Sequence, residues 1–223
     1  MSPSSPLLLQ DRAAAGRRLV EPLRQYAHRP DVIVLALPRG GVPVAYEVAM
    51  ALEVRLDLML VRKLGAPSNE EFALGAIASG GIQILNDHAL RAHPIDQATF
   101  DAVVAREKRE LLRREQAYRG TREPVPLKDQ VVILIDDGLA TGASMMAAIQ
   151  AVRLQAPSRI VVAVPVAPIE TVEALRSEVD ELICPVVPDW FMSLGHWYMD
   201  FSQTSDAEVI KLLQRAWQRE AGI

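Results

Sequence analysis

The sequence has little cysteine, few aromatic residues and no long apolar run. Its single cysteine, Cys184, rules out a disulfide within the 223 residues, which suits a reducing compartment. Its apolar runs are all far shorter than the roughly 20 residues that cross a bilayer. The opening MSPSSPLLLQDR has no basic segment before its apolar patch, unlike a signal peptide. We therefore expect a cytoplasmic protein that makes no membrane contact.

An excess of positive charge is also absent. The formal net charge is −4 at pH 7, so the sequence shows no electrostatic footprint for nucleic acid. The four histidines are scattered without metal-ligand spacing, which gives zinc chemistry and a Ser-His-Asp triad no support. Hydrophobic residues make up 50% of the chain, which is enough for a buried core, and we expect a single domain over residues 1–223.

Short apolar runs alternate with segments of helical periodicity. The runs are rich in β-branched residues and apolar at consecutive positions, which is typical of strands covered on both faces. The predicted strands are 32–37, 56–61, 131–135, 160–166 and 182–187. The predicted helices are 12–27, 43–52, 97–118, 143–155, 169–179 and 205–220. This alternation predicts an α/β fold with a parallel-sheet core flanked by helices. Segments 74–78 and 82–86, split by Ser79-Gly80-Gly81, predict a hairpin at one side of the sheet.

The most informative stretch is VVILIDDGLATGAS, residues 131–144. A buried strand runs directly into two carboxylates, Asp136 and Asp137, at the sheet edge where open α/β folds bind their ligands. A loop of small residues and hydroxyls follows: Ala140, Thr141, Gly142, Ala143 and Ser144. This loop leads into a helix, whose N-terminal amides attract phosphate. Because paired carboxylates suit a diol or a divalent cation, a sugar with both a phosphate and a vicinal diol would satisfy both halves.

The Asp pair also has a simpler interpretation. Two aspartates after a strand can merely cap a helix or form a turn, although the following loop and helix make the combination more specific. A P-loop nucleotide hydrolase is disfavoured, because no Gly-Lys-Ser/Thr follows the strand.

The whole stretch resembles the phosphoribosyl-pyrophosphate-binding motif of the type I phosphoribosyltransferases. The resemblance implies that Asp136 and Asp137 contact the ribose hydroxyls and hold Mg²⁺, directly or through water. It also implies that residues 140–144 wrap the 5-phosphate. Weaker similarity to bacterial phosphoribosyltransferase-domain proteins of unassigned substrate extends through DRAAAGRRL, RKLGAPSNEEFALGAIASGG and GHWYMDFSQTSDAEV. The implied fold is a core over about 12–187 and a small hood from the terminal segments, about 188–223 with the N-terminal segment.

A second loop, ALPRGGVPVA at 36–45, is the candidate for binding pyrophosphate. Arg39 offers a fork of donors to phosphate oxygens, and Gly40 and Gly41 permit unusual backbone geometry and exposed amides. The family commonly has a strained peptide in this loop. The competing explanation is an ordinary glycine turn beside a surface arginine.

The segment VRKLGAPSNEEF at 61–72 is a third candidate. We expect Arg62 and Lys63 to end a strand and open a polar loop. The family has a mobile loop here that closes over the site, with a lysine near its start contacting the leaving pyrophosphate. A basic strand end that only aids solubility is the alternative.

The residues after 187 carry six of the eleven aromatics. In the family, a hood built from terminal segments recognises the accepting base, and aromatic faces stack on planar heterocycles. Trp190 and Phe191 are the first candidates for that role. The alternative is that these rings pin the tail onto the domain.

The resemblance implies a phosphoribosyltransferase that uses phosphoribosyl pyrophosphate and Mg²⁺. The ribosyl 5-phosphate would pass to a small-molecule acceptor, such as the ring nitrogen of a base, with release of pyrophosphate. A second hypothesis is a non-catalytic module that senses phosphoribosyl pyrophosphate or a nucleotide. A third, an unrelated α/β protein such as a sugar-phosphate hydrolase, has no nucleophile or base constellation behind it. Because relatives often form dimers, the resemblance also allows a homodimer.

Overall fold

The computed structural model describes residues 8–66, 69–92 and 95–222 of the chain. In chain order its elements are α1 (Arg12–Val20), β1 (Val32–Ala36), α2 (Gly41–Leu52), β2 (Arg55–Leu58), β3 (Val61–Ala66), β4 (Asn69–Ala78), β5 (Ile82–Leu85), α3 (Asp87–Ala92), α4 (Gln97–Arg119), β6 (Val131–Ile135), α5 (Ala143–Arg153), β7 (Arg159–Ala163), α6 (Ile169–Arg176), β8 (Glu181–Ile183) and α7 (Asp206–Glu220). None of the helices in these ranges is both long and apolar enough to cross a membrane.

Five parallel strands form the central sheet in the order β2-β1-β6-β7-β8. Every residue of β1 and β6 is buried, as their unbroken apolar runs predict. Alternate residues point to opposite faces: Val34 packs in a core with α1, α2 and α7, and Leu35 packs in a second core with α5 and α6. The predicted α/β fold with helices on both faces of a parallel sheet is confirmed.

A second, antiparallel sheet contains β3, β4 and β5. The predicted hairpin is present, and its connection at Ser79–Gly81 uses positive φ angles of 80° at Gly80 and 74° at Gly81. Two expectations were wrong. The hairpin belongs to this separate sheet, and the predicted strand 56–61 is divided, because the chain leaves the parallel sheet after Leu58.

The position expected for Arg62 and Lys63 was also wrong. Both lie in the first half of β3, paired with β4, and do not open a loop. Arg62 and Lys63 are consecutive, so their side chains point to opposite faces of the strand, and two adjacent cations before Gly65 are easily mistaken for the start of a loop. Residues 67 and 68 of the predicted loop lie outside the described residues.

Proline explains why three predicted elements end early. The predicted helix 12–27 stops at Val20, two residues before Pro22, and only a short 3₁₀ turn follows at Arg24–Tyr26. The predicted strand 160–166 stops at Ala163 and the strand 182–187 at Ile183, each two residues before a proline. A proline has no N–H to continue a helix or a ladder.

The two ends of the described chain meet. Leu9 pairs in parallel with Tyr198, with hydrogen bonds of 2.8 Å from the Leu9 amide to the Trp197 carbonyl and from the Met199 amide to the Leu9 carbonyl. The predicted C-terminal helix is confirmed as α7, and Ser205 caps it by accepting the Glu208 amide at 3.2 Å. These contacts bring the N-terminal segment and the segment before α7 together.

A buried ion pair ties α4 to the sheet. The Arg119 guanidinium lies 2.9 Å from the Asp57 carboxylate, and both side chains are almost fully buried, at 5% and 2% exposure. Arg119 also donates to the Leu58 carbonyl at 2.6 Å, and the second Asp57 oxygen accepts the Val125 amide at 3.1 Å.

We expect Asp57→Asn to lower the free energy of unfolding by about 3–5 kcal/mol, because it removes the nearest and most buried counter-ion of Arg119 and leaves the longer contact of 3.4 Å with Glu115. Urea denaturation measures this loss. Glu21→Gln is the control, since it removes an exposed partner of Arg24 and should cost less than about 1 kcal/mol. Equal losses in the two variants would contradict the importance given to the buried pair.

Candidate functional site

The candidate site lies where the neighbouring strands β1 and β6 end. Because these strands are parallel and adjacent, the loops that follow them leave the same edge of the sheet. The Leu37 amide donates to the Ile135 carbonyl at 2.9 Å and joins the two loops at their start. The sequence motifs at 36–45 and 131–144 are therefore brought together.

Gly40 and Gly41 are required by this approach of the two loops. A Cβ added to Gly40 would lie 2.0 Å from an Asp137 carboxylate oxygen. A Cβ added to Gly41 would lie 2.7 Å from the Ile135 carbonyl oxygen and 2.9 Å from the Asp136 Cα. The glycines thus let the first loop pack directly against the two carboxylates.

The first loop also carries Arg39. Its peptide bond to Pro38 is cis. The Arg39 guanidinium lies 3.7 Å from the carboxylate of Asp206, the first residue of α7, and Tyr118 donates to the same carboxylate oxygen at 2.7 Å. Arg39 is about one-third exposed, at 36%, so a ligand at this edge can reach it.

The two adjacent carboxylates have different environments. Asp136 accepts the Asp137 amide at 2.8 Å, and burial, together with the neighbouring Asp137 charge, raises the pKa of the Asp136 carboxyl well above its ordinary value. The Asp137 carboxylate is paired with the Arg12 guanidinium at 2.7 Å. Asp136 is therefore the carboxylate that would gain most from an added cation.

The small-residue loop (residues 140–144) forms the start of α5. Gly142 is the N-cap and has a φ angle of 72°, a left-handed conformation that favours glycine. Thr171 of α6 fixes the loop by donating to the Ala140 carbonyl at 2.6 Å. Thr141 and Ser144 are exposed. The first-turn amides of α5 and these hydroxyls are hydrogen-bond donors of the kind to which anions bind at helix N-termini.

The structure places other predicted site residues elsewhere. The Arg62 guanidinium is held by Glu107 of α4, with distances of 2.6 and 2.9 Å. Lys63 lies beside it on β3, exposed. Trp190 is 77% exposed in the segment after β8, whereas Phe191 is half-buried against the first core.

Three functional candidates are not evident from the sequence. Arg12 pairs with Asp137, Tyr198 donates to the Asp137 backbone carbonyl at 2.5 Å, and Phe201 lies under the Arg12 guanidinium at 4.1 Å. They lie in the segments DRAAAGRRL and GHWYMDFSQTSDAEV, whose resemblance marked them without assigning a role to any residue. The contact between Arg12 and Asp137 spans 125 positions, so no local pattern reveals it.

The carboxylates at this edge can hold a cation only when a bound ligand supplies further oxygen atoms. Within the described ranges, no group of three or more His, Cys, Asp or Glu side chains is placed to hold a metal ion. Mg²⁺ is commonly held by one or two carboxylates and completed by substrate phosphates and water. Asp136 and Asp137 fit that arrangement.

A cavity of about 430 Å³ lies between the antiparallel sheet and α5. Ala143 of the small-residue loop is part of its wall, and so are Ala76 and Leu85 of the sheet. Neither Asp136 nor Asp137 lines it, so this cavity adjoins the loop and does not cover the carboxylates.

We expect Asp136→Asn to raise the melting temperature of the metal-free and ligand-free protein at neutral pH. A carboxyl whose pKa is raised by folding stabilises the protein fully below its unfolded pKa, near 4, and this stability is lost as pH rises through the folded pKa. The amide avoids that loss, so the gain over wild type should shrink as pH falls toward about 4.

Calorimetric scans from pH 4 to 8 would test this pH dependence, with Asp137→Asn as the matched control. Asp137→Asn should lower the melting temperature, because it leaves Arg12 without its counter-ion. A lower melting temperature for Asp136→Asn at neutral pH would show that the Asp136 charge is compensated.

Similarity to known proteins extends over both loops of the candidate site. A family model for the phosphoribosyl transferase domain matches residues 8–201. Two Mycobacterium tuberculosis proteins, from strains CDC 1551 / Oshkosh and H37Rv and each named provisionally as a phosphoribosyl transferase, are 43% identical over 209 residues. These matches cover 94% of this chain and 47% of the relatives, so the chain spans about half the length of the curated relatives it matches.

Two solved structures are also similar. The Thermus thermophilus protein TT1426 is 44% identical with a TM-score of 0.82, and the match covers 93% of this chain and 98% of that one. The Aquifex aeolicus protein AQ2163 is 12% identical with a TM-score of 0.51, covering 91% and 82% of the two chains. The second similarity concerns the fold alone.

Proposed function

The chain belongs to the phosphoribosyl transferase domain family, and on that premise we propose that it is a phosphoribosyltransferase. In this proposal it binds phosphoribosyl pyrophosphate with Mg²⁺ and transfers the ribosyl 5-phosphate to a nitrogenous base, releasing pyrophosphate. The observation that carries the proposal is the contact between the Gly40-Gly41 loop and the Asp136-Asp137 pair, beside the N-terminus of α5. In this arrangement, two carboxylates that can accept hydrogen bonds from sugar hydroxyls have a proposed anion site on each side.

The donor is proposed to lie across this edge of the sheet. The 5-phosphate accepts from the first amides of α5 and from Thr141 and Ser144. The ribose hydroxyls donate to Asp136 and Asp137. The pyrophosphate lies along the first loop, where Arg39 and the loop amides donate to its oxygens. In this placement the residues 12–187 act as the core and the terminal segments as the hood.

Catalysis in this proposal comes from positioning and charge stabilisation. The bond from the anomeric carbon to pyrophosphate breaks through an oxocarbenium-like state, as in glycosyl transfer generally. Mg²⁺, when bound, offsets charge on the leaving pyrophosphate. The chain's own contribution is Arg39 near the leaving group and the carboxylates near the developing positive charge.

We also propose roles for four residues outside the two loops: Arg62, Lys63, Trp190 and Phe191. Lys63 and Arg62 lie on the hairpin that is proposed to close over the pyrophosphate, and Arg62 would have to leave Glu107 to reach it. Trp190 presents an exposed ring on which a planar acceptor can stack, and half-buried Phe191 supports that segment.

We expect the wild-type protein to release pyrophosphate from phosphoribosyl pyrophosphate and Mg²⁺ in the presence of one member of a panel of purine, pyrimidine and pyridine bases. Asp136→Asn/Asp137→Asn should lower that rate by about a hundredfold or more, because hydroxyl contacts worth several kcal/mol are lost from the transition state. A coupled pyrophosphate assay measures the rates. Asp101→Asn, an exposed change on α4, is the control and should match wild type.

Two further results would change the proposal. Tight donor binding without pyrophosphate release for any base would favour the sensing module over the enzyme. A double variant that releases pyrophosphate at the wild-type rate would contradict the role given to the carboxylates.

A further inference from the structure

We propose that Arg12 is a positioning residue of the donor site, which orients Asp137 toward the ribose and joins that carboxylate to the terminal segments. This inference rests on the proposed function and deepens it in one respect. It gives the two adjacent carboxylates different roles. It also adds Arg12 to the donor site, a residue that lies in neither of the two loop motifs.

Arg12 holds Asp137 by a fixed geometry. Its Nε lies 2.7 Å from Asp137 Oδ2, and its Nη1 donates to the Ser202 carbonyl at 2.6 Å. The guanidinium also lies over the Phe201 ring, 4.1 Å from the ring centroid. The Arg12 side chain is 12% exposed, so these contacts are made largely away from water. A planar fork held on three sides fixes the direction of the carboxylate it binds.

Asp137 is restrained on its other sides as well. Its backbone carbonyl accepts the Tyr198 hydroxyl at 2.5 Å. Its Oδ2 faces Gly40, where a Cβ would come within 2.0 Å. Among the described residues, no hydrogen bond is donated to the other oxygen, Oδ1. Arg12 therefore occupies one carboxylate oxygen and leaves the second as the acceptor for a sugar hydroxyl.

Asp136 is left for a different task. Its Oδ1 accepts the Asp137 amide, while the Arg12 guanidinium binds the neighbouring carboxylate. The charge of Arg12 therefore compensates Asp137 at close range and Asp136 only from further away. We therefore assign the orientation of the ribose to Asp137, and we assign to Asp136, besides its contact with the ribose, the cation that accompanies the pyrophosphate.

Arg12 also connects the donor site to the hood. It begins α1, directly after the segment in which Leu9 pairs with Tyr198, and it binds Ser202 in the tail. The terminal segments thus contact the donor site through a residue that touches one of its carboxylates. A simple structural brace would make the same contacts, so the test must separate positioning from stability.

The experiment compares wild type, Arg12→Ala and Arg12→Lys, with Arg17→Ala as the matched control. Arg17 lies on the same helix and makes a more exposed ion pair with Glu47. Calorimetric titration with Mg²⁺ and phosphoribosyl pyrophosphate gives the dissociation constant, and the pyrophosphate assay gives KM and kcat. We expect Arg12→Ala to raise the dissociation constant and KM by about tenfold to a hundredfold, which is typical of losing a charged hydrogen bond, with a smaller change in kcat.

Added guanidinium ion at a non-denaturing concentration provides the second readout. It should restore donor affinity to Arg12→Ala, because it can refill the position beside Asp137, and it should not restore affinity to Asp136→Asn. A residue that only braces the fold would lower the melting temperature without this rescue. Unchanged affinity and KM in Arg12→Ala, or a loss that guanidinium does not reverse, would overturn the positioning role.

The experiment distinguishes a failure of the proposed function from a failure of the inference about Arg12. Absence of donor binding by wild type would contradict the proposed function itself, whereas wild-type binding with unaffected variants would contradict only the inference about Arg12. If Arg12→Ala does not fold, Arg12→Lys decides, because it keeps the charge and loses the planar fork. Arg12→Lys should still raise KM relative to Arg17→Ala, and an unchanged KM would refute the inference.

Discussion

The parallel pairing of β1 with β6 is the interaction on which the rest of this structure depends. It places two loops at one edge of the sheet, and the Leu37 amide bonded to the Ile135 carbonyl joins them there. Because the strands are fully buried, their register is set by the two cores that they separate. The glycines at 40 and 41 then let one loop pack against the carboxylates that end the other strand.

The two carboxylates at this edge are compensated unequally. Asp137 has a close counter-ion in Arg12, whereas the neighbouring Asp136 is desolvated and repelled by Asp137, which raises its pKa. A site that holds a weakly compensated carboxylate loses stability in the absence of its ligand and regains it on binding a cation or a hydroxyl donor. The proposed function gives this unfavourable feature a reason.

The two loops and the terminal pairing all lie within the region that matches the family, but membership of the family does not specify the activity of this chain. The match over residues 8–201 includes both loops and the terminal pairing, and TT1426 shares 44% identity over nearly its whole length. The curated Mycobacterium tuberculosis relatives are about twice as long as the matched region, which covers 47% of them. The activity of the whole relative is therefore a separate question from that of the domain it shares with this chain.

The sequence by itself determined the parallel sheet, most of its strands, and the loop with Asp136 and Asp137, because burial on both faces and helix-terminal loops leave local patterns. It did not determine where β2 ends and β3 begins, or that Arg62 binds Glu107, since both depend on how separate elements pack. Only the tertiary structure brought Arg12 and Tyr198 to Asp137. Contacts between distant segments depend on the packing of the whole chain, and no periodicity within either segment encodes them.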